Sequence, residues 1–501
     1  MPTPTGGGVG PHIVGAPTSA SFSFDASAKH SQIMQKSHWI YATRTKLVGC
    51  PTSPAVQVLQ MMSIVTLAAF VGLGGAVAGA AANSAAAGAS VHRPAASANW
   101  KRTRCGSPAS PGTDIPSVFA ASITPDSVKT VFGYPRPQMT RPSYHSLNGL
   151  WEFASMQRLA HLAPPSEDPP NCKGAPNCDG ARPPFGMTLN ETVLVPFPVE
   201  SCLSGLENAS LLDTPPTYQD MFYRTLIDGQ ALLSEQMGEG EAAGDVLLHF
   251  GAVDWAADVY VNGLWVGSHE GGYDSFSFEI SDALGQGGGG LDELMVVAHD
   301  PSNYGSQPFG KQRSSAMWSP AGDTYTTNSG IWQSVWMETV PVARIESLKL
   351  APNSTHLILN VKTTIPPTAT QVTVTVTKHG ATVATGSGQP NAPFALEIPT
   401  PELWSPESPF LYNMSVTYGS DQVGSYFGMR DVSVGKDAAG NVRPCFSGKY
   451  RFLTGVLDQN WWSDGVYLAP GDEAMAYDLQ AIKEFGHNYV RLHQKVNPDR
   501  W

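Results

Sequence analysis

The residues best suited to chemistry lie near the end of the sequence. Asp458 follows the apolar run of "YRFLTGVLDQ", and Arg491 and His493 close a second run, "HNYVRLH". Between them, "APGDEAMAYDLQAIKEFG" carries Pro470 and acidic residues at a helix start, Met475, Leu479 and Ile482 at helical spacing, and Gly486 as a stop. Strand, helix and strand form a βαβ unit, whose two strands run parallel with like ends aligned. Asp458, Arg491 and His493 therefore fall at the C-terminal strand ends, where such folds keep their ligand-binding groups. Trp461 and Trp462, in the loop after the first strand, offer flat aromatic faces to a ligand, with ordinary packing the competing reading. Of the nearby acids, Asp472, Glu473 and Glu484 sit on or at the start of the helix, where they favour its dipole or face solvent.

These groups need a frame, and most of the chain before them reads as β-structure. From 126 to 341, short runs rich in Val, Tyr, Phe and Trp alternate with Gly, Pro and Asn at strand-and-turn spacing. In "DVYVNGLWVGSHEGGYDSFSFEI", Val259 and Val261 alternate with Tyr260, and Asn262-Gly263 supplies the positive φ of a two-residue hairpin turn. From 342 to 436 the alternation is clearer still, with "QVTVTVTKHGATVATG" reading as a half-buried strand and a turn. The Pro-rich stretch 159–190 interrupts the pattern as a surface insertion.

Several segments together resemble glycoside hydrolase family 2, which includes β-galactosidases, β-glucuronidases and β-mannosidases. They are "YPRPQMTRPSYHSLNGLWEF", "VPFPVES", "HFGAVDWAADVYVNGLWVGSHEGGYDSFSFEI" and "NSGIWQSVWMETV", in the family's order. The resemblance implies a mainly β protein: a jelly-roll β-sandwich over 126–341, an immunoglobulin-like β-sandwich over 342–436, and an incomplete (β/α)8 barrel over 437–501, of which only the first βαβ unit is present. It also implies that Arg491 and His493 line a sugar pocket, and that Trp332 of "GIWQ" faces the barrel. There Trp332 would either touch sugar or pack between domains. Candidate carbohydrate-binding residues are thus Arg491, His493, Asp458, Trp462 and Trp332.

The mechanism the family implies uses two carboxylates about 5 to 5.5 Å apart, one as nucleophile and one as acid/base. Both belong to later barrel strands, and no Asn-Glu pair follows Lys436. The expectation is a chain cut short before its catalytic residues, so no catalytic residue is assigned to it. The full product would cleave a β-glycoside; the alternative is a protein that binds carbohydrate without cutting it.

Composition sets outer limits. With 30 Lys and Arg against 42 Asp and Glu, the net charge of −12 is spread without a basic run, which argues against a nucleic-acid partner. Six cysteines make no disulfide scaffold, although Cys172 and Cys178 suit a local loop-closing bond. Zinc would need two further ligands beside them, and neither a metal nor an organic cofactor is implied. Residues 1–54 read as low-complexity and disordered, and 83–125 as linker. Between these, 55–82 is uncharged and hydrophobic, with Lys36, Arg44 and Lys46 before it. It reads as a signal anchor, tethering the protein to a membrane through 61–82, or as a signal peptide. Sequons at Asn190, Asn208, Asn353 and Asn413 agree with a secretory, extracellular or membrane-anchored location.

Overall fold

A computed structural model describes residues 92–93, 100–105, 114–155, 183–206, 220–236, 244–286, 290–303, 305–313, 324–364 and 371–501. The low-complexity start, the hydrophobic segment 55–82 and the Cys172/Cys178 pair lie outside the described residues. Among the described residues, no helix is long and apolar enough to cross a membrane.

The first sandwich packs two antiparallel sheets. One runs β4 (Glu191–Val195), β3 (Gly149–Ser155), β5 (Asp220–Ile227), β11 (Asp292–His299), β8 (Ala256–Val261) and β9 (Leu264–Glu270), with β1 (His92–Arg93) added beside β5. The other runs β10 (Phe276–Glu279), β6 (Asp245–Phe250), β13 (Val335–Val340) and β2 (Tyr144–Ser146). Alternate inward residues such as Trp151, Phe153, Tyr223, Val259, Val296 and Met337 meet in one core. The Asn262-Gly263 turn takes the left-handed conformation at both residues, φ 51° and 75°, and joins β8 to β9 as the sequence predicts. Two very short strands, β7 (Val253–Asp254) and β12 (Gly330–Ile331), pair with each other.

Among the described residues, the second sandwich has seven strands. β14 (Ile345–Pro352), β15 (His356–Thr363) and β18 (Phe394–Glu397) form one sheet, and β17 (Ala381–Gly388), β16 (Val372–Lys378), β19 (Tyr412–Tyr418) and β20 (Asp421–Phe427) the other. The predicted "VTVTVT" strand is β16, whose Val372, Val374 and Val376 are buried. Arg141 locks the two sandwiches together. It is 6% exposed, bonds both carboxylate oxygens of Asp421 at 3.0 and 2.9 Å, reaches Glu338 at 3.0 Å, and donates to the Ile345 carbonyl at 2.6 Å. Burial opposes ionisation of Glu338, but His249, Arg136 and Arg141 outweigh it and hold its carboxyl well below the usual range.

Beyond a three-stranded sheet of β21 (Val432–Lys436), β22 (Val442–Phe446) and β23 (Lys449–Tyr450), the predicted βαβ unit is present. β24 (Gly455–Asp458) and β25 (Tyr489–Leu492) pair in parallel, with the helix Asp472–Glu484 between them in sequence. Gly486, at φ 84°, ends the chain's helical course as expected. The strands are not buried as their apolar character suggests: Leu457 is 48% exposed and Tyr489 43%. One helix covers one face of a two-stranded sheet and leaves the other open among the described residues. The unit is therefore a βαβ element, and a barrel is not formed by the described residues.

The segment 83–125, expected as linker, is also partly folded. Its strand β1 pairs with β5, Cys105 is disulfide-bonded to Cys202 across 97 residues, and Ala120 and Ile123 are buried. Little periodicity marks such a stretch, because a few scattered anchors hold it.

Candidate functional site

Parallel pairing sorts the predicted site residues by face. Leu457 stands opposite Arg491 and Asp458 opposite Leu492, and side chains along a strand alternate, so Arg491 and His493 share one face while Asp458 points to the other. Asp458 lies on the helix side, where its charge acts on Asp478 and Lys495. Burial first, and Asp458 second, raise the Asp478 pKa. Asp458 is thus separated from Arg491 and His493, and instead holds the loop: its Oδ1 accepts the Asn460 N–H at 2.7 Å, and its carbonyl accepts the His493 N–H at 3.0 Å.

Trp332 is corrected outright as a sugar contact. It is fully buried, donates its Nε1–H to the Gly272 carbonyl at 2.7 Å, and meets Tyr467 edge-to-face at 4.6 Å. It is the interdomain packing residue of the two readings, joining the first sandwich to the loop after β24 in a core with Leu150, Phe197 and Leu468. Trp462 is half-buried, donates to Asn460 Oδ1 at 2.8 Å, and packs against Phe119 at 6.2 Å. Trp461 stacks on Tyr325 of the first sandwich, with ring centroids 4.6 Å apart and planes 16° apart, so one of its faces is covered by protein.

What the sequence missed is the part of the site supplied from afar. The loop 305–313 and Tyr325 reach from the first sandwich to the strand ends. Tyr325 donates its hydroxyl to Gln459 Oε1, and Lys311 Nζ lies 3.5 Å from the same oxygen. Lys495 donates to the Asn460 carbonyl and lies 4.5 Å over the Tyr467 ring; burial lowers its pKa to about 7, despite Asp458 and Asp478. Four non-glycine residues of this region hold left-handed backbone: Lys311 (φ 67°), Asn460 (44°), Val466 (59°) and Gln494 (51°). For β-branched Val466 this is a costly conformation, and clustered strain of this kind accompanies functional sites. Arg491 is exposed and forms no ion pair among the described residues, and the buried Nδ1 of His493 has no partner there.

Two other features fall outside this group. A cavity of about 180 Å³ opens beside Tyr273, Trp336 and Val496, but the guanidiniums on its wall are already paired, Arg136 with Glu338 and Arg500 with Asp472. Asp254 of β7 and Asp300, just after β11, are buried; burial and then the Asp300 charge raise Asp254, and burial raises Asp300 to about 6. No group of three metal-ligating side chains is arranged to hold an ion among the described residues.

Two antiparallel sandwiches followed by a βαβ unit, with unpaired basic groups at the strand ends, define a modular β-rich architecture. The chain's second sandwich, residues 344–430, matches the model of glycosyl hydrolases family 2. It is 25% identical over 197 residues to a β-galactosidase of Thermoanaerobacter pseudethanolicus, covering 34% of this chain and 23% of the relative. A putative β-glucuronidase of Formosa agariphila is 25% identical over 269 residues, 50% of this chain and 30% of the relative, and a β-galactosidase of Leuconostoc mesenteroides is 23% identical over 71% and 34%. The chain thus spans about a quarter to a third of these relatives. The solved β-glucuronidase of Ruminococcus gnavus in complex with D-glucaro 1,5-lactone superposes with a TM-score of 0.51 at 18% identity, over 69% of this chain and 55% of that one, which is a likeness of fold.

Proposed function

We propose that this chain is the sugar-binding and positioning part of a family 2 β-glycosidase, with its ligand held at the C-terminal ends of β24 and β25. The observation that carries this reading is the placement of Arg491 and His493: same face, same strand end, and no ion-pair partner among the described residues. An unpaired guanidinium and imidazole can donate hydrogen bonds to sugar hydroxyls and to the glycosidic oxygen's neighbours. Relatives that are β-galactosidases and β-glucuronidases support a β-glycoside as the substrate class.

Chemistry in this reading follows the retaining route, with a nucleophilic carboxylate and an acid/base carboxyl about 5 to 5.5 Å apart. Among the described residues the strand-end group has one nearby carboxylate, Asp458, and it points to the helix face. This chain therefore binds and orients, and the expectation is binding without turnover. The Cys105–Cys202 bond supports the secretory location, since such bonds persist in oxidising compartments. A panel of methyl β-glycosides examined by saturation-transfer NMR tests the reading. Transfer to at least one sugar, weakened in Arg491→Ala, is expected; no transfer to any sugar in the panel would overturn it.

A further inference from the structure

The loop 305–313 is pressed against the site. A Cβ at Gly310 would come within 2.9 Å of both the Gln494 carbonyl and the Tyr273 hydroxyl, so the loop backbone lies directly on the turn after His493. That contact sets where Lys311 can stand. Its left-handed backbone turns the side chain toward the strand ends, where Nζ lies 3.5 Å from Gln459 Oε1 and 5.9 Å from the centre of the Tyr325 ring. Gln459 follows Asp458 and, by alternation, belongs to the face that carries Arg491 and His493. No carboxylate pairs with Lys311 among the described residues. Lys311 thus brings a positive charge with no carboxylate partner among the described residues to the residue that follows β24, in a chain whose net charge is −12.

We propose that Lys311, delivered from the first sandwich, is a specificity-determining residue of the strand-end site, and that the site takes a glycoside bearing an anionic substituent. A lysine ammonium is a compact point charge, suited to one oxygen of a sugar carboxylate or a sugar sulfate. Its neighbours, an amide oxygen and an aromatic face, hold the ammonium in place without neutralising it. This inference rests on the reading that the strand ends bind a glycoside.

The test is calorimetric titration of the full chain with methyl β-D-glucuronide, methyl β-D-galactoside 6-sulfate and neutral methyl β-D-galactoside. The wild type is expected to bind at least one anionic sugar about tenfold more tightly than the neutral one, the worth of one charge-assisted contact. Which anionic sugar leads identifies the source of the charge. Lys311→Met should weaken the anionic sugars more than the neutral one and so remove the preference, and Lys311→Arg should restore it. A merely structural lysine would shift all three sugars alike, and that result would overturn the proposal. Equal binding of all three sugars by the wild type would overturn it too, with glycoside binding itself intact. Failure of every sugar to bind would overturn both readings.

Discussion

At the scale of single residues, two buried charge arrangements carry opposite expectations. Arg141 pairs with Glu338 and Asp421, both buried, and its removal strands Asp421 and leaves Glu338 to Arg136 in the junction between the sandwiches. Arg141→Ala should lower unfolding free energy by about 3–5 kcal/mol, as breaking a buried ion pair does; a urea titration that shows a loss under about 1 kcal/mol would contradict this. At Asp300 the neighbouring His299 charge is outweighed by burial. The Asp300 pKa is raised to about 6 by burial, which the Ser329 and Ser302 hydrogen bonds offset only in part. An unfolded aspartate titrates near 3.9. Between these values the native state keeps a proton that the unfolded state releases, so this group's contribution falls as pH rises from about 4 to about 6 and stays lost above. Asp300→Asn removes that dependence. Its stability relative to wild type should improve by roughly 2–3 kcal/mol between pH 4 and pH 7, and a difference that does not change with pH would refute the assignment.

At the scale of elements, the sequence disclosed what local patterning controls. The β8–β9 hairpin, the alternating strand β16 and the Pro470-to-Gly486 helix each carry their own turn, period or stop signal, and each is where the pattern puts it. Features made by distant residues left no such trace. Cys105 and Cys202 pair across 97 residues, and Lys311 and Tyr325 reach the strand ends from another domain. The face of Asp458 depends on the β24–β25 register, which neither strand encodes alone. The same exposed sheet yields an expectation about dynamics. Residues 461–475 are anchored on the sandwich through buried Asp464, Tyr467 and Leu468, whereas Phe452 is 72% exposed and Phe485 83%. Limited proteolysis should cut first within 448–458 and 484–496, where few contacts hold the backbone; first cuts inside β5 or β11 would contradict this.

At the scale of the molecule, the two sandwiches and the βαβ unit act as a single positioning device. The Arg141 clamp fixes one sandwich against the other. The Trp332–Tyr467 contact fixes the first sandwich against the loop that follows β24. Together they bring a loop of one domain over the strand ends of another, a site that composition and periodicity could not assemble. The mainly β character was therefore legible in the two sandwiches, while the folded part of 83–125 and the loop brought over the strand ends were not, because contacts between distant segments make them. The central claim, that a β-glycoside is held at the ends of β24 and β25, is tested most directly by hydrogen exchange of the full chain with and without a saturating β-glycoside. Protection should appear at 458–462 and 489–495, with a lesser effect at 310–313. Protection confined to other segments, or no protection by any β-glycoside, would contradict it.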